Sequence, residues 1–268
     1  YYTSGTAVRF YTGNTLTVAS TKGIKSITLS ITQGEAPTVD NSDYVRTDNT
    51  WTVDAEKAVN CVTFNFESKN QTRINKVTVA YTDIAPVPVV ISDAKYATFA
   101  SANTVDVSET GITAYTAKYN SETSTMKLVE VEDGIVPANT AVVLYAEQAK
   151  EYELQFAIPS AQLDTDLKVS DGTVTGGATI FALANNDNYG VGFYNVAATV
   201  TIPAGKAYLE IPAGAGVRNF IGFESETTGI GTIAASKAAN AVFNMQGQRV
   251  AAPAKGLYIM NGKKVVIK

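Results

Sequence analysis

The chain has no histidine and one cysteine, Cys61. Without histidine the usual general base near neutral pH, the usual zinc ligand and the Ser-His-Asp triad are excluded together. A single cysteine cannot close an internal disulfide, and a Cys–His nucleophile is impossible. Cys61 lies in Val59-Asn-Cys-Val-Thr-Phe-Asn-Phe66, opposite in phase to Val62, Phe64 and Phe66, and reads as a small strand residue. Charged residues make up only 17% of the chain, and no apolar run approaches the roughly 20 residues of a membrane helix. No signal peptide is visible. The abrupt start at Tyr1-Tyr2 reads as the run-up to a strand and suggests a fragment or processed product.

What is present favours β structure. Threonine, valine and tyrosine are abundant, apolar residues mostly alternate with polar ones, and no helical period is sustained before residue 225. Hydrophobic content of 45% supplies a packed core. At 268 residues the chain exceeds one domain of about 100–150 residues and suits two plus a tail. Charge is asymmetric. Six of the 21 basic residues and none of the 25 acidic ones lie beyond Glu226, so a body of net −10 precedes a basic tail. Such a tail suits either a solvated hairpin with lysines guarding its edges or docking on an acidic surface.

The expected class is all-β: tandem antiparallel sandwich-like domains with a short C-terminal hairpin module. Residues 1–84 form a first sandwich, opening with a hairpin of Val8–Tyr11 and Thr15–Val18 around Gly13-Asn14. Ile27, Leu29 and Ile31 share a face, and Gln33–Asn49 reads as a long polar loop, of the length at which loops tend to be functional or mobile. Ala85-Pro-Val-Pro88 marks a boundary, and residues 85–224 form a second all-β domain. Within it, Ile135-Val-Pro-Ala-Asn-Thr-Ala-Val-Val-Leu144 echoes Thr201-Ile-Pro-Ala-Gly-Lys-Ala-Tyr-Leu-Glu210. Proline sets each entry and Asn139 or Gly205 supplies a turn, which suggests internal pseudo-symmetry. Residues 225–240 read as a linker and 241–268 as a β tail. There Asn261-Gly262 suits a type I′ turn, because both residues tolerate positive φ.

Candidate chemistry is thin. Ser92-Asp-Ala-Lys95 matches Ser-x-x-Lys, but that pattern needs a helix and companion motifs that the chain lacks. Gly229-Ile-Gly231-Thr-Ile-Ala234 has the spacing of a dinucleotide fingerprint without a βαβ unit around it. Glu130, Glu132 and Asp133, and Glu151 with Glu153, are carboxylate clusters. Residues two apart on a strand share a face, here most simply the solvent face. Asp40–Asp48 and Asn185–Asn188 offer oxygens in no calcium-loop spacing, so turn chemistry accounts for them better. No cofactor, metal or nucleic-acid partner is expected. One ligand site is: Trp51 and Tyr44, with Asp43 and Asp48, combine flat rings and polar groups as a sugar-binding face does. The competing reading makes Trp51 the core anchor of the first sandwich, which the high average burial of tryptophan favours.

The tail carries a resemblance. Phe243-Asn-Met-Gln-Gly-Gln-Arg-Val250 followed by Lys255-Gly-Leu-Tyr-Ile-Met-Asn-Gly-Lys-Lys-Val-Val-Ile-Lys268 resembles the C-terminal segment of many secreted and surface proteins of Bacteroidetes-type bacteria. It is similar to a shortened sorting domain of their type IX secretion pathway, in which Gly-Gln-Arg-Val and Gly-Xaa-Tyr lie on successive strands. Gly247, Gln248, Arg249, Gly256, Tyr258, Asn261, Gly262 and Lys263 carry the match. Residues 89–224, with Ala94-Lys-Tyr-Ala-Thr-Phe99 and Val136-Pro-Ala-Asn-Thr140, resemble an all-β module found before such tails. The resemblance implies a secreted or surface location, the adhesin class, export machinery as one partner, and a protein or glycan at the cell surface as another. It implies no catalytic residue. If the tail is an address, deleting Phe243–Lys268 abolishes surface display, measured by protease shaving of whole cells, while the rest of the chain keeps its melting transition. Loss of that transition would make the tail part of a domain core instead.

Overall fold

The computed structural model describes residues 7–212, 219–224, 242–243, 249–250, 255–260 and 263–267. The protein is nearly all β, in several antiparallel sheets of sandwich-like character. Two compact units divide it, Tyr1–Glu224 and Ser225–Lys268.

The first sheet contains β1 (Val8–Phe10), β2 (Thr15–Gln33), β3 (Thr38–Val39), β4 (Val45–Thr47), β5 (Thr50–Thr52), β6 (Val59–Asn65) and β7 (Thr72–Thr82). Its order is β1-β7-β2-β5-β4, with β6 pairing β2 and β3. Strand β2 organises it. Thr15–Ala19 pair with Asn65–Cys61 of β6, and Ser26–Thr28 lie between β5 and β7. The register shifts between Ala19 and Ile24. Gly23 sits in that irregular stretch, where a Cβ would fall 2.6 Å from Ile84 Cγ2. A bulge of this kind bends a long strand, so the halves of β2 contribute to one core of Ile24, Ile27, Leu29, Trp51, Val62 and Phe64.

Two expectations are corrected. Val8–Tyr11 and Thr15–Val18 do not form a hairpin. The turn exists, with Gly13 at φ +83° and Asn14 N–H donating to Tyr11 O at 2.9 Å, but β1 pairs with β7 and β2 with β6. Gly13 N–H donates to Phe66 O at 2.8 Å and Phe66 N–H to Asn14 O at 3.0 Å, so the turn is pinned to the end of β6. Phe10 stacks on Phe66 with centroids 4.2 Å apart. The stretch Gln33–Asn49 is not a single loop either. It contains β3 and β4, and Thr47↔Thr50 closes a tight turn with Asp48 at φ +54°.

The rest of the first unit is a stack of three sheets. One outer sheet runs β13-β10-β15-β8, from β8 (Val87–Ile91), β10 (Val105–Asp106), β13 (Ile135–Val136) and β15 (Lys150–Phe156). The middle sheet runs β12-β11-β14-β9, from β9 (Tyr96–Phe99), β11 (Ile112–Asn120), β12 (Thr125–Glu130) and β14 (Val142–Ala146). The other outer sheet runs β16-β19-β17-β18-β20, from β16 (Leu167–Val169), β17 (Ile180–Asn186), β18 (Gly190–Asn195), β19 (Ala207–Glu210) and β20 (Phe220–Ile221). The middle sheet contributes apolar side chains to cores on both of its faces. Val142, Leu144 and Ala114 join one core with Val89, Tyr152 and Leu154, while Val143 and Ala117 join another with Phe181, Phe193 and Leu209. Each fully buried Val or Leu side chain supplies about 1.5–3 kcal/mol, so both faces hold the stack together. On β15 the alternation is the ordinary one: Tyr152 and Leu154 face in, Glu151 and Glu153 face solvent.

The internal echo adopts one conformation twice. Thr140 N–H donates to Pro137 O at 3.2 Å and Lys206 N–H to Pro203 O at 3.3 Å, with Asn139 at φ +57° and Gly205 at φ +74°. Both turns meet the same segment, through Asn139 N–H to Ser101 O at 2.7 Å and Ala100 N–H to Gly205 O at 3.1 Å.

In the second unit, Arg249–Val250, Val242–Phe243, Gly256–Met260 and Lys263–Ile267 form a sheet in that order. Arg249 pairs with Phe243, Gly256 with Ile267, Tyr258 with Val265 and Lys263 with Met260. Gly256–Met260 and Lys263–Ile267 are thus the expected hairpin. Gly247, Gln248, Asn261, Gly262 and the linker 225–240 lie outside the described residues.

A buried polar knot joins the first sheet to the three-sheet stack. The Asn60 side chain is fully buried and donates to Thr104 O at 2.8 Å and Ala157 O at 3.0 Å. Its Oδ1 accepts from Thr104 N–H at 2.8 Å, and its own N–H donates to Asn103 Oδ1 at 2.9 Å. Removing the amide strands three buried backbone groups, each worth about 1–3 kcal/mol. Asn60→Ala therefore lowers the unfolding free energy in urea by roughly 3 kcal/mol or more, and Asn60→Asp gives no rescue, because a carboxylate cannot donate.

Candidate functional site

The expected sugar-binding face around Trp51 is not presented. Trp51 is 1% exposed and packs edge-on against Phe64, with centroids 4.8 Å apart, and the Arg46 guanidinium lies 5.7 Å from its ring centre. Tyr44 is also buried, its hydroxyl donating to Ile24 O and accepting from Val59 N–H at 3.4 Å. Asp43 pairs with Lys57 at 2.8 Å, and Asp48 turns the β4–β5 corner, its carbonyl taking Arg46 Nε–H at 2.7 Å. The four residues come near one another because β4 and β5 are paired, but the rings belong to the core and the polar groups to turns. Apolar surface won. Trp51, on β5 between β2 and β4, is the largest side chain of this core and buries its ring against Phe64 of β6.

The remaining candidates resolve in the same way. Ser92 and Lys95 sit in a turn, Lys95 N–H donating to Ser92 O at 2.8 Å. The Lys95 ammonium pairs with Glu147, whose hydrogen bond holds its pKa above the ordinary lysine value. A lysine base needs the opposite shift. The Cys61 thiol is pushed up, first by burial and then by the Asp40 charge, which is the reverse of an activated nucleophile. Glu130, Glu132 and Asp133 line a groove of about 510 Å³ with Lys118 and Asp164. Asp133 is held below the usual carboxylate range by a hydrogen bond from Ser160 and another from Ile135 N–H, so it lacks the raised pKa of a general acid. Lys118 is shared between Asp164 and Asp166. Among the described residues no three acidic or thiol side chains converge as a metal would require, and no helix is long and apolar enough to cross a membrane.

Two features remain. The first is a cleft of about 580 Å³, within the usual size of small-ligand sites. It opens where strands run out of partners. Val90 and Ser92 come from the last strand of one outer sheet and the residue following it, and Tyr96–Thr98 from the last strand of the middle sheet. Ala182–Asn185 belong to β17, which pairs with β19 only as far as Ala182. Ile202, Pro203 and Lys206 of the second echo turn close it. The walls are mainly alanine, valine and leucine, with Ser92, Thr98, Asn185 and Lys206 as polar points. Val90 and Val200 stand at its mouth, 61% and 50% exposed.

The second is an aromatic stack on the β17–β18 hairpin. Tyr189 lies on Phe220 with centroids 5.2 Å apart and planes 18° apart, and Phe220 meets Tyr194 at 4.8 Å. Asn186↔Gly190 is the last pair before the turn. Asn186 serves that turn, its Oδ1 accepting from Asn188 N–H at 2.8 Å and its carbonyl from Tyr189 N–H at 3.3 Å. Phe220 lies 31 residues from Tyr189, so no local pattern announces the pair.

Comparison with protein-family models finds no match, and comparison with curated proteins and with solved structures finds none either.

Burial pushes the Tyr44 phenol up to about 12, against an ordinary 10. An acid that ionises later in the folded chain weakens folding as pH rises. Its stabilising contribution is complete below pH 10 and is lost between about pH 10 and 12, at up to roughly 1.4 kcal/mol per pH unit. Tyr44→Phe should flatten this part of the stability–pH curve relative to wild type, measured by urea unfolding at pH 9 to 11.5. Parallel curves for the two proteins would contradict the assignment.

Proposed function

We propose that this protein is a non-enzymatic β protein, secreted or displayed at the cell surface, whose work is adhesion or presentation of a ligand-binding face. The cleft between the unpaired strand edges carries this reading. Open edges beside apolar walls suit an extended partner or ligand, because backbone hydrogen bonding and side-chain burial are offered together. The histidine-free sequence and the upward shifts of Cys61 and Lys95 support binding rather than turnover. The tail's likeness to a sorting segment, and its folding as a separate compact unit, support an extracellular destination. A second reading, a glycan-binding accessory module of a polysaccharide-processing system, is favoured by the exposed aromatic stack.

The test is a screen of the full chain against immobilised surface proteins, mucins and a glycan array. Saturable binding is expected, and Val90→Lys with Val200→Lys should weaken it at least tenfold by charging the mouth of the cleft. Both positions are exposed, so the fold survives the change. No binder in either panel, or turnover of any presented glycan or peptide, would sink the reading.

A further inference from the structure

Tyr189 is 67% exposed, more than any other large apolar side chain among the described residues, yet it is held in place. One ring face rests on Phe220 and the other meets solvent. Phe220 is itself fixed. It lies over Gly192, where a Cβ would come within 2.4 Å of Phe220 Cε2, so only glycine lets the ring settle there. Tyr194 braces its side and is anchored by its hydroxyl donating to Gly190 O at 2.6 Å. The backbone beneath Tyr189 is clamped by its own N–H donating to Asn186 O at 3.3 Å. Two strands and a turn thus keep one flat apolar face on display, with little rotamer freedom left to lose on binding.

The surroundings select the ligand. Asp187 and Asn188 are exposed in the turn that carries the ring, offering an amide donor and acceptor and a single charge. No lysine or arginine occurs between Ile180 and Asn195, and Arg218, two residues before Phe220 in sequence, lies outside the described residues. The hairpin itself thus supplies no cation for a phosphate or a nucleic-acid backbone. It suits a neutral pyranose, whose C–H face packs on an aromatic ring while its equatorial hydroxyls reach in-plane amides. The same two strands wall the cleft through Asn185 and Val191.

We propose that Tyr189, backed by Phe220, is the stacking platform of a binding site for neutral polysaccharide, with Asp187 and Asn188 as its hydrogen-bonding rim. This rests on the reading of the protein as a ligand-presenting β protein and names one ligand class for it.

The test is affinity electrophoresis of the full chain through gels containing mixed-linkage β-glucan, xylan, galactomannan, mannan or starch, with polygalacturonate as an acidic comparison. At least one neutral polysaccharide should retard the wild type. Tyr189→Ala should weaken that retardation tenfold or more at an unchanged melting temperature, whereas Tyr189→Phe, which keeps the ring, should stay within about twofold. Retardation by none of the neutral polymers, or retardation unaltered in Tyr189→Ala, overturns the proposal. Binding that survives Tyr189→Ala but falls in the Val90→Lys, Val200→Lys variant removes the platform and leaves the cleft reading standing.

Discussion

Strand Val142–Ala146 is buried on both faces, with only Tyr145 partly exposed. Val142, Leu144 and Ala146 point into one core and Val143 into another, all essentially inaccessible to water. A strand of this kind must be covered twice, and the rest of the second half of the body follows from that need. One cover is the sheet of β8, β10, β13 and β15, which turns Tyr152 and Leu154 inward. The other is the five-stranded sheet that supplies Phe181, Phe193 and Leu209. Three stacked sheets of unequal strand length cannot end flush. Where β8, β9 and the far half of β17 are paired on one side only, their free edges leave the cleft.

Polar groups are handled in two contrasting ways. Inside, Asn60 and Tyr44 are saturated, although Gln71 Oε1 and Arg73 Nε are buried without a partner. The Asn60 amide uses donor and acceptor together, and Tyr44 both donates and accepts. Such groups fix geometry, since one wrong register would strand a buried donor. Outside, the β17–β18 hairpin does the reverse, displaying an apolar ring that could have been buried. A core-forming sequence has no folding reason to stack Tyr189 outward on Phe220 over a glycine, and that contrast sets the hairpin apart from the other surface turns.

Much of the fold was legible along the chain. Alternation in Val59–Phe66 and Tyr152–Phe156 identified strands, and the repeated Pro-Ala turns at 137–139 and 203–205 announced two copies of one corner. Pairing was less legible. The Gly13-Asn14 turn looks like a hairpin, yet β1 joins β7 some 60 residues away, and Phe10 stacks on Phe66 at the end of β6. The candidate site was the least legible. Trp51, Tyr44, Asp43 and Asp48 cluster in sequence and ended up as core and turn residues, while Tyr189 and Phe220 are far apart in sequence and meet only because β18 pairs with both β17 and β20.

Periodicity, glycine and proline geometry and composition act locally, so the all-β class, the repeated turns and the exclusion of histidine chemistry can be read along the chain. Which strands pair, which aromatic rings are buried and where edges stay open emerge with the fold. Those outcomes depend on competition for apolar area among segments remote in the chain, and no single stretch contains its own rivals.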